Sequence, residues 1–233
     1  MPPGSGPGIA RRAVAAVIAG LLGVVLAWAV LDLPSGVGPL AGPVRAGAAD
    51  AGASNPVTAV LLAFRAYDTW LEVVVVLAAV IGVLAVARTR ELTARTPPPA
   101  DPLLTWMTGI VAPLTVLVGG FLLWLGTSAP GGAFQAGAVL GAGALLVWLS
   151  GRRSVTALRA PAMATLLALG AAAFLALGAV PLIAGAAMLD IPEDIATELI
   201  IAVEAAVTVS VAVSLAVLVI ATRAGDGDGG DDA

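Results

Sequence analysis

Six long apolar runs alternate with short segments rich in glycine, proline and charged residues. A helix needs about 20 apolar residues to cross a hydrocarbon core of roughly 30 Å. The runs are close to that length or exceed it, so the pattern predicts an all-α, polytopic membrane protein of about six transmembrane helices. The predicted helices cover residues 13–33, 57–87, 104–126, 132–150, 160–182 and 196–222.

The arginines are unevenly distributed among the segments that separate these runs. They cluster before the first run, after the second, between the fourth and fifth, and after the sixth, while the opposite segments hold only Arg45. Because cytoplasmic loops carry an excess of positive residues, both termini are predicted to be cytoplasmic. Arg11 and Arg12 would also suit a secretory signal. The first run, however, is longer than the usual apolar stretch of about 7–15 residues, which favours an uncleaved helix.

Composition narrows the class of protein. Of 233 residues, 60% are hydrophobic and 11% are charged, whereas a soluble domain carries about 25% charged residues. A water-soluble globule is therefore excluded, and a lipid bilayer is the expected surrounding. The chain has no cysteine and no histidine, so we expect no metal site, no cofactor and no enzymatic activity. The absence of a basic patch argues against nucleic-acid binding. A bias to Ala, Gly, Val and Arg without Lys is typical of a GC-rich genome. The expected location is the plasma membrane of a GC-rich bacterium.

Breaks in composition divide the chain into segments. The proline-rich segment 96–102 is predicted to be a stiff, extended linker, because consecutive prolines cannot continue a helix. It separates a two-span front segment, residues 1–95, from a four-span bundle, residues 103–223. Residues 34–55 are predicted to form an external loop, and the acidic, glycine-rich tail 224–233 is predicted to be disordered.

Arg65, Asp68 and Glu72 interrupt the second apolar run. On a continuous helix their spacing places them within an arc of roughly 60°, as one polar stripe. Since burying charge in hydrocarbon is costly, this stripe must face protein or water. One interpretation is a structural ion pair at a subunit interface. The other is that a carboxylate left over after pairing takes up and releases a proton or a cation. The residues alone leave both open.

Glu204 lies inside the sixth run, eight residues after Ala196. At 1.5 Å per residue it is expected to lie roughly 12 Å from the end of the helix. Thr208 follows one turn later on the same face. A deep glutamate without a basic partner in its own helix is a candidate protonatable site, and the alternative is a neutral glutamate hydrogen-bonded to a neighbouring helix.

The segment between the third and fourth runs is predicted to be a tight external hairpin, because Pro130 fixes φ and Gly131 and Gly132 permit positive φ. The following helix carries small residues, among them Gly137, that allow close helix packing. The stretch Pro130-Gly-Gly-Ala-Phe134-Gln-Ala-Gly137 resembles the Pro-Gly-Gly-Gly-Phe-x-x-Gly signature of the MnhB/MrpB family. That resemblance covers about residues 103–223.

The front segment carries a second resemblance. Asn55-Pro-Val, followed by Phe64-Arg-Ala-Tyr-Asp-Thr-Trp-Leu-Glu72, is similar to the Phe-Arg-Gly-x-Asp-Thr-x-Gly-Glu segment of MbhE-like domains. In Mrp-type antiporters such a domain forms the C-terminal end of the large MrpA protein, directly before MrpB. The chain therefore resembles an MbhE-like hairpin fused to an MnhB-like bundle.

The resemblance implies a membrane subunit of a multi-subunit Na⁺/H⁺ antiporter of the Mrp type, with other hydrophobic subunits as partners and Na⁺ and H⁺ as ions. It implies an ion path or subunit interface at Arg65, Asp68 and Glu72, with Glu204 as a further site. The alternatives are an ion-translocating subunit of a hydrogenase-like or other complex I-related assembly, and a non-transporting assembly scaffold. The chain departs from the family in lacking the Gly-His pair before the hairpin, which removes any role for an imidazole there.

Overall fold

A computed structural model describes residues 9–32, 41–47, 54–86, 97–152, 155–183, 185 and 193–222. Within those ranges the regular structure is helical and contains no β-strand. Residues 97–101 of the predicted linker are not helical. The predicted tail 224–233 and most of the predicted loop 34–55 lie outside the described residues.

The helices follow the predicted runs, with short helical turns between some of them. The elements are α1 (Ile9–Leu31), α2 (Ala41–Gly47), α3 (Pro56–Ala59), a π-helical turn (Val60–Phe64), α4 (Ala66–Val86), α5 (Pro102–Leu125), α6 (Ala133–Leu149), a 3₁₀ turn (Val155–Ala157), α7 (Ala160–Ile183) and α8 (Glu193–Thr222). Asp101 caps the start of α5 by accepting a hydrogen bond from the backbone N–H of Leu104 at 3.0 Å. Pro102 follows as the first helical residue, where its missing N–H costs nothing.

In the described part, four helices are long and apolar enough to cross a membrane. They are Ala66–Val86, Pro102–Leu125, Ala160–Ile183 and Ile195–Thr222. Two further apolar helical stretches are shorter, Ala16–Leu31 and Ala133–Leu149. The 17 residues of α6 rise about 26 Å, slightly less than the hydrocarbon thickness. The prediction of an all-helical membrane protein is confirmed, while the number of six spans and the cytoplasmic termini stay predictions.

The prediction of one continuous helix over residues 57–87 is wrong. The chain leaves helical geometry at Arg65, where φ is −128° and ψ is 36°, after the π-helical turn. The hydroxyl of Thr69 donates to the carbonyl of Leu61 at 2.7 Å, whereas residues eight apart in a straight helix lie about 12 Å apart along the axis. The hydropathy of an apolar run does not indicate whether its backbone forms one continuous helix, so the run did not predict the break. Arg65 therefore lies at the break, and only Asp68 and Glu72 share α4.

Helix α8 is the most buried helix of the bundle, and it packs against α4, α6 and α7. About 61% of the residues in its most apolar stretch are buried, compared with 22% or less in the other long apolar helices. Val203, Val207 and Val211 repeat every four residues along one face and pack with Phe174 of α7 and Val73 of α4. Because several faces of α8 are covered, polar side chains on those faces, such as Glu204, are held inside the protein.

Candidate functional site

A tight hairpin joins α5 to α6 and contains the Pro-Gly-Gly motif. The N–H of Gly132 donates to the carbonyl of Leu122 at 2.9 Å. Gly132 has φ +112° and ψ −173°, a backbone region that is essentially restricted to glycine. A Cβ on Gly131 would lie 2.6 Å from the same carbonyl oxygen of Leu122. Both glycines are thus required by the backbone path, whereas Ala133 begins a regular helix, where a side chain is tolerated.

Hydrogen bonds join the start of α3 to this hairpin. The backbone N–H of Asn55 donates to the carbonyl of Thr127 at 3.0 Å. Its side-chain amide donates to the carbonyls of Ala129 at 2.8 Å and Gly126 at 3.3 Å. The hydroxyl of Thr58 also donates to the carbonyl of Gly126. The start of α3 and the end of α5 therefore form one hydrogen-bonded unit.

Glu204 lies against the same hairpin. Its side chain is only 6% exposed, and its carboxylate accepts a hydrogen bond from the backbone N–H of Ala133, at the start of α6. A Cβ on Gly132 would lie 3.0 Å from Oε1, and one on Gly126 would lie 3.2 Å from Oε2. Oε2 is buried and has no hydrogen-bond partner. The hydroxyl of Thr208 donates to the backbone carbonyl of Glu204 at 2.7 Å, so it serves the helix and not the carboxylate.

Small residues on α6 bring it close to α8. A Cβ on Gly137 would lie 2.8 Å from the side chain of Val211, and one on Gly141 would lie 2.9 Å from the carbonyl oxygen of Ala212. Phe134 packs against the cluster that includes Val211. Close approach of the two helices places the hairpin next to Glu204, as small residues at helix interfaces allow.

Arg65 and Asp68 form an ion pair at the start of α4, with side chains 69% and 45% exposed. The Asp68 carboxylate also lies in the first turn of α4, where the positive end of the helix dipole favours it. Trp70 fixes this end of α4 to α7 by donating from Nε1 to the carbonyl of Ala171 at 3.2 Å. Exposed charges beside a membrane span must face water or another protein chain.

A cavity of about 360 Å³ is lined by residues of α3, the π-helical turn, α4, the hairpin, α6, α7 and α8. Its polar lining includes both Glu72 of α4 and Glu204 of α8, with Gln135 beside them, and none of the described residues that line it is basic. The lining residues are Asn55, Val57, Thr58, Leu61, Leu62, Thr69, Glu72, Pro130, Gly131, Gly132, Ala133, Phe134, Gln135, Phe174, Val203, Glu204 and Val207. Two carboxylates, amide oxygens and hydroxyls can together attract a cation or relay a proton.

The structure thus brings Glu72, Glu204 and the hairpin residues to one cavity, while Arg65 and Asp68 lie outside its lining. Asp68 and Glu72 instead share an open groove on α4. The sequence prediction did not include Asn55 as a site residue, although asparagine before proline is a recognisable helix start. Nothing in the sequence pointed to Thr58. Within the described ranges, no group of three or more acidic, histidine or cysteine residues could hold a metal ion.

Two protein families match the chain in the order of its segments. Residues 103–223 match the domain related to the MnhB subunit of Na⁺/H⁺ antiporter. Residues 9–98 match the MbhE family, which comprises the E component of the MBH complex. No curated protein sequence matches.

Solved structures of two membrane complexes contain similar chains. One belongs to the membrane-bound sulfane sulfur reductase, an archaeal respiratory membrane complex, with 21% identity and a TM-score of 0.65 over 92% of this chain and 98% of that one. The other belongs to the Mrp complex from Dietzia sp. DQ12-45-1b, with 24% identity and a TM-score of 0.63 over 98% of this chain. This chain spans 27% of the length of that Mrp chain. At these identities the likeness shows a shared fold.

Proposed function

This chain belongs to the family of domains related to the MnhB subunit of Na⁺/H⁺ antiporters, and from that membership we propose that it is a membrane subunit of a multi-subunit monovalent cation/proton antiporter of the Mrp type. In this proposal its partners are other hydrophobic subunits, and Na⁺ and H⁺ are the ions exchanged. The chain lies in the plasma membrane of a GC-rich bacterium, with six spans and both termini in the cytoplasm.

The observation that carries the proposal is the cavity shared by Glu72 and Glu204. Acidic side chains inside membrane spans are rare because they are costly, and they mark ion pathways or paired structural sites. Among the residues that the structure describes, no basic side chain lines the cavity, so neither carboxylate forms an ion pair with them there. That arrangement favours a path for positive ions over a structural pair.

The broken helix supports the same role. Non-helical backbone at membrane depth is tolerated where it is buried in protein or lines a water-filled cavity. π-helical turns are often found at functional sites. Leu61 and Leu62 of the π-helical turn line the cavity together with Glu72. The break at Arg65 would then let water or ions approach Glu72 from one side.

Arg65 and Asp68 take a different part in the proposal. In the part of the chain that the structure describes, theirs is the one ion pair. Asp68 and Glu72 line the groove on α4 together with Phe134 of α6. We infer that this groove continues the ion path towards a neighbouring subunit, with Arg65 limiting the negative charge at its entrance.

The first experiment is to purify the tagged chain from its native membrane in mild detergent and identify the co-purifying proteins by mass spectrometry. Hydrophobic antiporter-type subunits without metal-cluster proteins support the proposal. Glu72→Gln and Glu204→Gln complexes in vesicles should then lose cation-driven proton exchange while keeping the same subunits. Glu198→Gln is the matched control, because Glu198 is exposed on the same helix as Glu204.

A second candidate is an ion-translocating subunit of a redox-driven complex. It is favoured by the likeness to the sulfane sulfur reductase complex, which covers nearly all of that chain. Co-purification of iron–sulfur or nickel proteins would select it. A non-transporting scaffold is the third candidate, and it predicts that Glu72→Gln and Glu204→Gln complexes exchange ions normally.

A further inference from the structure

We propose that Glu204, Gln135 and the end of α5 form a binding site for a dehydrated or partly dehydrated monovalent metal cation of the size of Na⁺. The inference rests on the proposed function and deepens it, because it assigns the bound ion to particular oxygen atoms.

The first argument is the state of the Glu204 carboxylate. Glu204 is only 6% exposed, and is thus 94% buried. Its carboxylate accepts one hydrogen bond, from the N–H of Ala133. Oε2 has no partner. A buried carboxylate oxygen without a partner is costly, because its desolvation is not compensated. A ligand that supplies positive charge at Oε2 removes that cost.

The second argument is the direction of the local helix dipoles. Oε2 lies next to Gly126, at the carboxyl end of α5. The carboxyl end of a helix carries partial negative charge and favours cations. The amino end of α6, which favours anions, is already occupied by the carboxylate through Ala133. The position beside Oε2 is therefore electrostatically suited to a cation and not to an anion.

The third argument is the supply of further oxygen ligands and space. Gln135 Oε1 and Glu204 Oε1 both lie within 4 Å of the point where a Cβ on Gly132 would be. Glu72 lines the same cavity, whose lining, in the described part of the chain, contains no basic side chain that would compete with a cation. A volume of about 360 Å³ has room for a cation and several of its waters, since each water occupies roughly 30 Å³. Hard cations prefer such carboxylate, amide and water oxygens.

The test is direct binding of ²²Na⁺ to the purified complex, immobilised through a tag on the full chain, in choline-based buffer. Glu204→Gln keeps the shape and an acceptor oxygen for Ala133 but removes the charge, and it should weaken binding at this site by more than about tenfold. Gln135→Leu should weaken it by about tenfold, since one oxygen ligand is lost. Glu198→Gln should bind as wild type does.

Several outcomes would overturn the inference. Equal ²²Na⁺ binding by the wild-type and Glu204→Gln complexes would overturn it. The absence of Na⁺ binding by the wild-type complex would also overturn it, because a water or a proton would then be the partner of Oε2. If Glu204→Gln fails to assemble, Gln135→Leu decides alone, because Gln135 is exposed at the cavity rim and does not belong to the buried core. Unchanged affinity in that variant then overturns the site.

The proposed function fails by a different readout. If the wild-type chain purifies without antiporter-type subunits and still binds Na⁺ through Glu204, the site stands and the antiporter proposal falls. If antiporter-type subunits co-purify and neither substitution changes Na⁺ binding, the antiporter proposal stands and the proposed Na⁺ site is wrong.

Discussion

Replacing Gly132 with alanine should destabilise the hairpin and displace the Glu204 carboxylate. The backbone of Gly132, at φ +112° and ψ −173°, costs a residue with a Cβ about 1–3 kcal/mol. The new Cβ would also lie 3.0 Å from Glu204 Oε1. The carboxylate must then move by a few tenths of an ångström, which weakens its hydrogen bond to the N–H of Ala133. We therefore expect a loss of at least about 1 kcal/mol in stability, with a loss of cation exchange in addition.

Gly120→Ala on α5 is the matched control, because a Cβ there would meet nothing within 4 Å. Alanine in a helix interior is favoured over glycine by up to about 1 kcal/mol, so this variant should be as stable as the wild type or more stable. The assay is the heat stability of a fluorescently tagged complex, followed by size-exclusion chromatography after heating. A Gly132→Ala complex that survives heating as well as Gly120→Ala would refute the argument from backbone geometry.

Three further predictions concern other parts of the structure. Asn55→Ala removes two side-chain hydrogen bonds to hairpin carbonyls and should lower stability by about 1–3 kcal/mol in the same heating assay. Ser54→Ala removes an exposed and longer hydrogen bond and should leave the stability unchanged. Gly143→Ala places a Cβ 2.2 Å from a threonine hydroxyl of α5 and should reduce the yield of assembled complex. In the control Gly82→Ala, the new Cβ has no atom within 4 Å, and the yield should be unchanged. Asp68→Asn should leave the co-purifying subunits intact but reduce cation exchange in vesicles. Lost assembly with normal exchange in the remaining complex would instead favour the scaffold interpretation.

Hydropathy and local chemistry predicted much of the molecule. Apolar runs predicted the helices because a lipid-embedded segment must satisfy its own backbone hydrogen bonds, which a helix does within the segment. Pro130, Gly131 and Gly132 predicted the hairpin because their effect on φ is local. Pro102 was assigned to the linker but is the first residue of α5, because a proline is tolerated at the first helical position, where its missing N–H costs nothing.

The polar stripe shows where local reasoning fails. Arg65, Asp68 and Glu72 were placed on one continuous helix by their spacing, and the break at Arg65 separates the first from the other two. Hydrogen bonds such as that from Thr69 to Leu61 stabilise the break, and they depend on a backbone geometry that hydropathy does not encode. The i,i+3 ion pair of Arg65 and Asp68 nevertheless forms across it, because both residues are close in the chain.

The sequence by itself determined that the chain is an all-helical membrane protein, where its hairpin turns, and which carboxylates lie within apolar runs. Each of these follows from the transfer energy or the backbone freedom of single residues. Only the tertiary structure decided that Glu204 meets the hairpin and shares a cavity with Glu72. That meeting depends on the close packing of α6 on α8 through Gly137 and Gly141. It also depends on the fastening of Asn55 to the end of α5. Contacts between residues 70 or more positions apart follow from how the helices pack, and no pattern within one helix specifies them.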